Sequence, residues 1–387
     1  MDYITKFKII NCIDNLYETQ DEVIILLSEN KRLCVSNNSG SGKTTIMMLI
    51  ILKDICDYEV LYATNKNNNS LIDNYRSIIF VNNKILCEQI YDLFKNVLGD
   101  KHSDVLINLC NYNIENTYKN NKNKMIYITT PGRFITLLHK NKVPTKYGVI
   151  YVDEIDQTLD IKSDNIENIE ENDLEYVLEK IDSLYYLFTC SNMNLEPFDE
   201  YDKNLRNNLT QYLQNKDFTI KIYNDKKVAY VTSLVKTYRE NFDDFILDIY
   251  SQTKKRINDK IIVFLNSIKE CEEFYKRYMD PKFPNRFLMI HGKLEPDVRK
   301  QTIDNFREYG DILFSTDFLE RGLDIKTITV IIHIEFPKSY FVYLNRSGRS
   351  LRDHSNSATT SKVFLLTKLR NIDNEKLEKY KFDQIIQ

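Results

Sequence analysis

The sequence predicts two successive α/β domains, each with a mostly parallel sheet flanked by helices. Strand-like apolar runs alternate with helix-like amphipathic runs along most of the 387 residues. The strand-like runs, such as 149–152, lack polar alternation, which is typical of strands buried on both faces of a parallel sheet. The alternation restarts after a polar cluster at 224–227, so two sheets fit the pattern better than one.

The predicted boundaries follow from that restart. Domain 1 covers 1–223, a linker covers 224–228 and domain 2 covers 229–387. Strands are predicted at 31–35, 78–81, 125–128, 149–152 and 185–188, and then at 261–264, 287–290, 312–314 and 330–332. Helices are predicted at 45–56, 84–97, 268–278 and 297–307. The acidic stretch 160–179 is predicted to be an exposed loop and helix face.

Composition narrows the functional classes. With 42% hydrophobic and 28% charged residues, the chain is globular rather than disordered. A formal net charge of -3 excludes a polycation but leaves room for a local basic groove that binds nucleic acid. Seven cysteines without a Cys-x-x-Cys pair predict buried, reduced thiols rather than a disulfide framework or a zinc site. Neither a secretory signal nor a membrane span is predicted, so the expectation is a cytoplasmic protein with no membrane partner.

The strongest local signal is a glycine-rich segment between a predicted strand and a predicted helix. Glycines allow backbone N–H groups to crowd around phosphate oxygens, Lys43 would reach the β/γ-phosphates of a nucleotide, and Thr44 would ligate Mg²⁺. Asn37 stands where the general motif has glycine. Read alone, the segment could also be an ordinary turn that caps a helix. The candidate nucleotide-binding residues here are Ser39, Gly40, Ser41, Gly42, Lys43, Thr44 and Thr45.

An acidic pair follows the predicted strand 149–152. The carboxyl ends of strands are where α/β sheets place their chemistry. Asp153 could therefore hold Mg²⁺, and Glu154 could orient and deprotonate an attacking water. Read alone, the pair could instead be acids that favour a helix N-terminus.

These motifs and several others resemble, in order, those of the DEAD-box class of superfamily 2 RNA helicases, over nearly the whole chain. Thr130 to Arg133 matches Thr-Pro-Gly-Arg without change, and Asp153 to Asp156 reads Asp-Glu-Ile-Asp for Asp-Glu-Ala-Asp. Further matches are Gln20, 23 residues before Lys43, and the segments 82–90, 189–191, 261–267, 291–292 with Arg299 and 306–307, 315–317, 321–325 and 345–352.

The resemblance implies two tandem RecA-like domains and assigns roles in the first. Gln20 would read adenine. Asp156 would couple the domains through the hydroxyls of Thr189 and Ser191. The residues implied to contact the nucleic-acid backbone are Lys84, Thr130, Pro131, Gly132 and Arg133, with Asn82 and Asn83 as weaker donors.

The second domain would complete the site. Thr316 would contact a phosphate of the nucleic acid, and Asp324 would bind the ATP ribose. The resemblance implies that Arg346 binds Asp153 and Glu154 across the interface between the domains. Arg349 and Arg352 would face the γ-phosphate as arginine fingers.

The sequence departs from the family pattern in three ways. These departures weaken the predicted nucleic-acid contacts more than the predicted ATP site. Asn345 replaces the family's histidine, and Asn82 and Asn83 replace its Pro-Thr pair. A glycine pair expected between the second and third motifs is missing, because no glycine lies between Gly99 and Gly132.

The predicted function is an ATP-dependent RNA helicase that uses ATP and Mg²⁺ and acts as a monomer. ATP hydrolysis would be coupled to closure of the two domains, which bends one RNA strand and separates its partner. RNA is favoured over DNA as the nucleic-acid partner. A DNA helicase or translocase with the same core and an ATP-gated RNA clamp with little unwinding are the alternatives. A non-helicase phosphate-loop NTPase would not explain the segments 130–133 and 346–352.

Overall fold

The structure is a computed structural model of the 387-residue chain. It describes residues 18–37, 41–64, 75–98, 105–110, 124–159, 172–191, 193, 200–223, 232–238, 242–253, 259–278, 286–319, 328–350, 362–368, 371, 373–380 and 384–386. The predicted linker 224–228 lies outside these residues.

Two compact units make up the chain. Unit 1 comprises Met1–Glu196 and Lys203–Asp225, and unit 2 comprises Pro197–Asp202 and Lys226–Gln387. The change from one unit to the other after Asp225 lies inside the segment predicted as a linker.

The first half of the chain alternates strands with helices. The strands are β1 Arg32–Ser36, β2 Tyr75–Phe80, β3 Val105–Leu109, β4 Lys124–Thr129, β5 Lys146–Val152, β6 Asp182–Cys190 and β7 Thr219–Ile222. The helices are α1 Glu18–Glu29, α2 Lys43–Thr64, α3 Lys84–Leu98, α4 Pro131–His139, α5 Ile155–Thr158, α6 Asp173–Lys180 and α7 Glu200–Asn215. The strands form one parallel sheet in the order β3-β4-β2-β5-β6-β1-β7.

Unit 2 repeats this arrangement. Its strands are β8 Thr232–Tyr238, β9 Lys260–Phe264, β10 Phe287–Ile290, β11 Ile312–Ser315, β12 Ile328–Ile334, β13 Lys362–Lys368 and β14 Gln384–Ile386. Its helices are α8 Asp243–Thr253, α9 Ile268–Tyr278, α10 Pro296–Glu308, α11 Tyr340–Ser347 and α12 Asn374–Lys379, with a 3₁₀ turn at Asp317–Leu319. The parallel sheet has the order β10-β11-β9-β12-β13-β8-β14, so each strand takes the place of the strand seven earlier in the other sheet.

The core of unit 1 covers both faces of its sheet. Successive residues of a strand point to opposite faces, and Leu33 and Val35 join one apolar cluster while Cys34 joins another. The apolar run 46–52 of α2 is buried in the first cluster. All six residues of β4 are buried, as the absence of polar alternation predicts for a central strand.

The predicted fold class is confirmed, and the predicted strands all occur within strands of the two sheets or extend one by a residue. The structure adds five strands, β3, β7, β8, β13 and β14. Two of them, β3 and β7, are edge strands of the first sheet, and β7 has no buried residue. Such strands bury too little surface to give a clear apolar signal.

The predicted burial of the cysteines agrees with the structure, in which five thiols are buried among the described side chains. They are Cys34, Cys87, Cys110, Cys190 and Cys271. Within the acidic stretch, residues 160–171 lie outside the described part, and Asp173–Lys180 is a helix with Leu174 and Val177 buried. Among the described helices, none is long and apolar enough to cross a membrane.

One buried histidine makes the stability of unit 2 sensitive to acid. His333 in β12 is fully buried, its ring stacks on Phe264, and its Nε2 lies 3.2 Å from Ser347 Oγ. Burial and, secondarily, the charge of Arg346 hold the pKa of His333 well below its ordinary value. The folded state therefore leaves this ring neutral at a pH where the unfolded chain protonates it.

We predict that His333→Gln makes the free energy of unfolding less dependent on pH. As the pH falls below the unfolded value of about 6.5, proton uptake by unfolded His333 removes up to about 1.4 kcal/mol of stability per pH unit. Urea unfolding from about pH 5 to pH 7.5 measures the slope. The exposed His139 provides the control, as His139→Gln should keep the wild-type slope. Equal slopes for His333→Gln and wild type would contradict the prediction.

Candidate active site

The glycine-rich segment joins β1 to α2 at the carboxyl edge of the first sheet. Gly42 has a φ of 81°, a left-handed conformation that glycine adopts without a steric cost. Lys43 is the first residue of α2 and is buried, and its Nζ donates a hydrogen bond to the carbonyl oxygen of Asn37 at 2.8 Å. Burial lowers the pKa of Lys43, whereas the carboxylates of Asp153 and Glu154 act in the opposite direction. Ser39 and Gly40 lie outside the described residues, while Ser41, Thr44 and Thr45 are half-buried.

Gln20 lies beside this segment. It is buried in α1, and its Nε2 would lie 2.5 Å from a Cβ built onto Gly42. The structure therefore places Gln20 against the phosphate-loop candidate, although no feature of the described residues tests its predicted contact with adenine.

The acidic pair leaves the sheet at the end of β5. The backbone N–H of Asp153 donates to Phe80 O at 3.0 Å, and the hydroxyl of Thr158 donates to Asp153 O at 2.7 Å. Glu154 has a φ of 46° and a ψ of 61°. A left-handed conformation costs a residue other than glycine about 1–3 kcal/mol, and such residues cluster at functional sites.

Thr189 Oγ1 donates to Asp153 Oδ1 at 2.7 Å, whereas the resemblance implies a partner in Asp156, and the coupling role of Asp156, Thr189 and Ser191 stays a prediction. The reason is the register: Val152 lies opposite Phe188, so the next residues, Asp153 and Thr189, are neighbours. Asp156 lies a turn further along, in α5. Ser191 is buried just beyond β6.

The sequence analysis missed Tyr151, which joins this group. Its hydroxyl donates to Asp153 Oδ1 at 3.0 Å and lies 3.0 Å from Thr189 Oγ1. The available signal was its position two residues before Asp153 on a strand, which places both side chains on the same face.

Asn82 and Asn83, which replace the family's Pro-Thr pair, have clear local functions. Asn83 Oδ1 accepts a hydrogen bond from Leu86 N at 2.9 Å, which caps the start of α3. Asn82 Nδ2 donates to Gln157 Oε1 at 2.5 Å and so connects this segment to α5. Lys84 is the first residue of α3.

The segment Thr130 to Arg133 opens α4. Thr130 is the N-cap residue and Pro131 occupies the first helical position, where the missing N–H costs nothing. An added Cβ at Gly132 would lie 2.6 Å from Asp173 Oδ2, so a larger residue here would displace this exposed carboxylate. Arg133 Nε donates to Cys110 O at 2.8 Å.

In unit 2, Arg346 is fully buried in α11 and has partners within its own unit. Its guanidinium pairs with Asp317 and donates to Asn266 Oδ1 at 3.3 Å, and it lies 5.1 Å from the ring of Phe264. The role predicted for Arg346 toward the acids of unit 1 stays a prediction, since these contacts leave it untested.

The remaining candidates of unit 2 are partly described. Arg349 is buried just after α11, and its N–H donates to Arg346 O at 3.2 Å. Thr316 is buried immediately after β11, and Asn345 is buried within α11. Asp324 and Arg352 lie outside the described residues.

The donor set of unit 1 fits Mg²⁺. Among the described residues, no three or more His, Cys, Asp or Glu side chains gather as a metal cluster. Mg²⁺ is typically bound through one or two carboxylates plus substrate phosphates rather than by an all-protein cage. Asp153 beside a phosphate loop is such a donor set.

Two family models match the chain. The model described as DEAD/DEAH box helicase matches residues 17–189, and the model described as helicase conserved C-terminal domain matches residues 240–354. Together they span most of the chain and all of the motifs above except the end of the segment 189–191. The chain belongs to the DEAD/DEAH box helicase family.

Known proteins similar to this chain are helicases. It is 24% identical over 325 residues to DEAD-box ATP-dependent RNA helicase 32 of Oryza sativa subsp. japonica, covering 81% of this chain and 38% of that protein. The chain therefore spans well under half the length of this relative.

Solved structures share the fold. S. cerevisiae Dbp5 bound to RNA and ADP BeF3 superposes with a TM-score of 0.73 at 16% identity, covering 100% of this chain and 93% of that one. The Mycobacterium smegmatis helicase Lhr bound to ssDNA and AMP-PNP gives 0.67 at 16% identity, covering 95% and 48%. These likenesses support tandem RecA-like domains and, at such identities, the fold alone.

We predict that Gly42→Ala destabilises unit 1 and weakens nucleotide binding. The left-handed conformation costs an alanine about 1–2 kcal/mol, and its Cβ would lie 2.5 Å from Gln20 Nε2. The double variant with Gln20→Ala should recover only the steric part. Unfolding free energies for the two single variants and the double variant measure this coupling.

Gly292→Ala is the matched control, because no atom lies within 4 Å of its added Cβ. It should change stability by less than about 0.5 kcal/mol. Strict additivity of Gly42→Ala and Gln20→Ala would show that the predicted contact does not matter.

Proposed function

We propose that this protein is an ATP-dependent RNA helicase that couples ATP hydrolysis to RNA unwinding or remodelling. The observation that carries the proposal is the convergence of Lys43, Asp153 and Glu154 at the carboxyl edge of the unit 1 sheet. A buried lysine near two carboxylates, behind a loop with a left-handed glycine, suits a nucleotide phosphate and a cation. Membership of the DEAD/DEAH box family supports the same activity.

In this proposal, unit 1 binds the nucleotide. Lys43 binds the β/γ-phosphates, the adenine contacts Gln20, and Thr44 and Asp153 hold Mg²⁺. When bound, the ion neutralises charge that develops on the transferred phosphoryl group. The other residues proposed to bind the nucleotide are Ser39, Gly40, Ser41, Gly42, Thr45 and, from unit 2, Asp324.

Glu154 is the proposed general base. Its carboxylate accepts a proton from the water that attacks the γ-phosphate. As the water oxygen bonds to the γ-phosphorus, the bond from that phosphorus to the bridging oxygen of ADP breaks, and ADP leaves with the bonding electrons. The left-handed backbone of Glu154 is compatible with this role, because residues with such a conformation cluster at functional sites.

Unit 2 is proposed to complete hydrolysis. Arg349 and Arg352 stabilise the charge of the transition state, and closure of the units on RNA brings them to the phosphate. We keep Asp156, Ser191 and Arg346 as candidates for coupling between the units. Lys84, Thr130, Pro131, Gly132, Arg133 and Thr316 are the proposed contacts to the RNA backbone.

The location and state of assembly are also proposals. Buried free cysteines favour a reducing compartment, and we propose the cytoplasm. We propose that the chain acts as a monomer.

The test of the function is steady-state ATP hydrolysis with RNA, with single-stranded DNA and with neither. We expect strong stimulation by RNA, weaker stimulation by DNA, and no turnover by Lys43→Ala under any condition. Equal stimulation by RNA and DNA would instead favour a DNA helicase with this core, a fold that the Lhr likeness also accommodates. RNA binding gated by ATP without strand separation would indicate the clamp.

We predict that Glu154→Gln binds ATP and RNA but does not finish the cycle. The amide keeps the shape of the side chain and cannot accept the proton of the attacking water. With ATP present, the variant should therefore hold a fluorescent single-stranded RNA longer than wild type. Glu179→Gln, a change at an exposed glutamate of α6, is the control and should match wild type. Release of RNA from Glu154→Gln by ATP would mean that the coupling has the opposite sign.

We predict a shallow salt dependence of RNA binding. The named contacts include only two cations, Lys84 and Arg133, and each neutralised phosphate of a single strand contributes a slope of about -0.7 in log K against log salt. Lys84→Ala and Arg133→Ala should each lower the magnitude of the slope by about that amount. Lys140→Ala, at an exposed position just after α4, should leave the slope unchanged. If both variants have the wild-type slope, the RNA backbone does not contact Lys84 or Arg133.

A further inference from the structure

Two hydroxyl groups converge on one oxygen of Asp153. Tyr151 Oη lies 3.0 Å and Thr189 Oγ1 lies 2.7 Å from Asp153 Oδ1, and the two hydroxyl oxygens are themselves 3.0 Å apart. Either both protons point to Oδ1, or Tyr151 donates to Thr189 and Thr189 donates to Oδ1. In both arrangements the hydroxyl of Tyr151 helps to hold the Asp153 carboxylate, either by a direct hydrogen bond or through Thr189.

The sheet fixes this geometry. Tyr151 and Asp153 are two residues apart on β5 and its extension, so their side chains share a face. Thr189 faces them from the neighbouring strand β6. Tyr151 is buried, so its hydroxyl is held among these partners and away from solvent. A tyrosine hydroxyl is protonated at neutral pH and can therefore donate a hydrogen bond.

The two hydroxyl donors make the two oxygens of the Asp153 carboxylate inequivalent. Among the described residues, the hydrogen bonds to the Asp153 side chain both go to Oδ1. With Oδ1 held, the carboxylate cannot rotate freely, and Oδ2 is the oxygen left for a further ligand.

We propose that Tyr151 is a positioning residue that holds Asp153 so that Oδ2 is available to the Mg²⁺ of the bound nucleotide. This inference rests on the proposed function, because Asp153 must be a Mg²⁺ ligand. Groups that hydrogen-bond to metal ligands are typically worth 10–100-fold in metal affinity. Tyr151 acts through Asp153 and does not itself contact the ion or the nucleotide.

The test is Tyr151→Phe, which removes one oxygen and keeps the ring. Its matched control is Tyr127→Phe, because Tyr127 is equally buried in the same sheet and its hydroxyl donates to Met125 Sδ instead. The measurement is the binding of a fluorescent ADP analogue to the full chain, in EDTA and over a series of Mg²⁺ concentrations. Thermal unfolding of each variant checks that it is folded.

We expect Tyr151→Phe to bind the analogue as wild type does in EDTA and to require about 10-fold more Mg²⁺ for half of the Mg²⁺-dependent gain in affinity. Tyr127→Phe should match wild type in both conditions. Wild-type Mg²⁺ dependence in Tyr151→Phe would overturn the proposal. A loss that is equal with and without Mg²⁺ would also overturn it, because that result indicates a purely structural role.

A second pair of variants keeps the test decisive if Tyr151→Phe does not fold. Thr189→Val removes the other donor and should raise the Mg²⁺ requirement. Thr189→Ser keeps the hydroxyl and should have the Mg²⁺ requirement of wild type. Equal Mg²⁺ requirements for these two variants would overturn the proposed network. If wild type itself gains no affinity from Mg²⁺, the proposed nucleotide site is wrong, and that result is separate from a failure confined to Tyr151.

Discussion

The parallel pairing of β5 with β6 is the constraint on which the unit 1 site depends. Because Val152 lies opposite Phe188, Asp153 and Thr189 leave the sheet side by side. β6 also pairs with β1, where Ser36 lies opposite Cys190, so the segment that leads to Lys43 starts at the same edge. A slip of one residue between β5 and β6 would turn Thr189 to the opposite face and break its hydrogen bond to Asp153, and a slip between β1 and β6 would shift the segment that leads to Lys43 relative to this pair. The contacts between the motif residues of unit 1 therefore depend on this register.

Unit 2 has the same strand order as unit 1, so comparing the two units shows which features of the unit 1 site come with that order. Glu335 follows β12 as Asp153 follows β5, and it has a φ of 61°, much as Glu154 does. Thr367 on the neighbouring strand donates to Glu335 Oε2 at 2.6 Å, which parallels Thr189 and Asp153. However, Asn371 and the N–H of Lys368 also donate to the Glu335 carboxylate, so both of its oxygens are used to hold the turn.

The connection from β8 to α8, residues 239–242, contains no glycine. The repeated topology therefore provides a carboxylate–hydroxyl pair in both units, and the glycine-rich segment with Lys43 is specific to unit 1.

The sequence predicted the central strands and the helices next to them because continuous burial leaves a clear apolar run, as in β4. It also singled out the glycine-rich segment and the acidic pair as candidate site residues, because local motifs encode local geometry, and their roles toward a nucleotide stay predictions. Gln20 was singled out by its spacing from Lys43, and the structure places it beside Gly42. The partner of Thr189 could not be predicted, since it depends on the register of two strands separated by α5 and α6 along the chain. Tyr151 is different, because it lies two residues before Asp153 on a predicted strand, and that spacing alone places both side chains on one face. The edge strand β7 was missed because its residues are half-buried or exposed.

The ion pair of buried Arg346 with half-buried Asp317 restricts the position of Arg349. Burying a guanidinium has a large desolvation cost, so such an ion pair adds little net stability compared with apolar residues of the same volume. Such a pair does supply a fixed position. Arg346 is fully buried, and the guanidinium contacts Asp317, Asn266 and the ring of Phe264. These contacts attach the end of α11 to β9 and the turn after β11. Arg349 lies on the next turn of the chain, and its N–H donates to Arg346 O. The attachment of Arg346 therefore also limits where Arg349 can be. Precise placement is what a catalytic arginine requires, because its effect on a transition state depends on the distance to the developing charge.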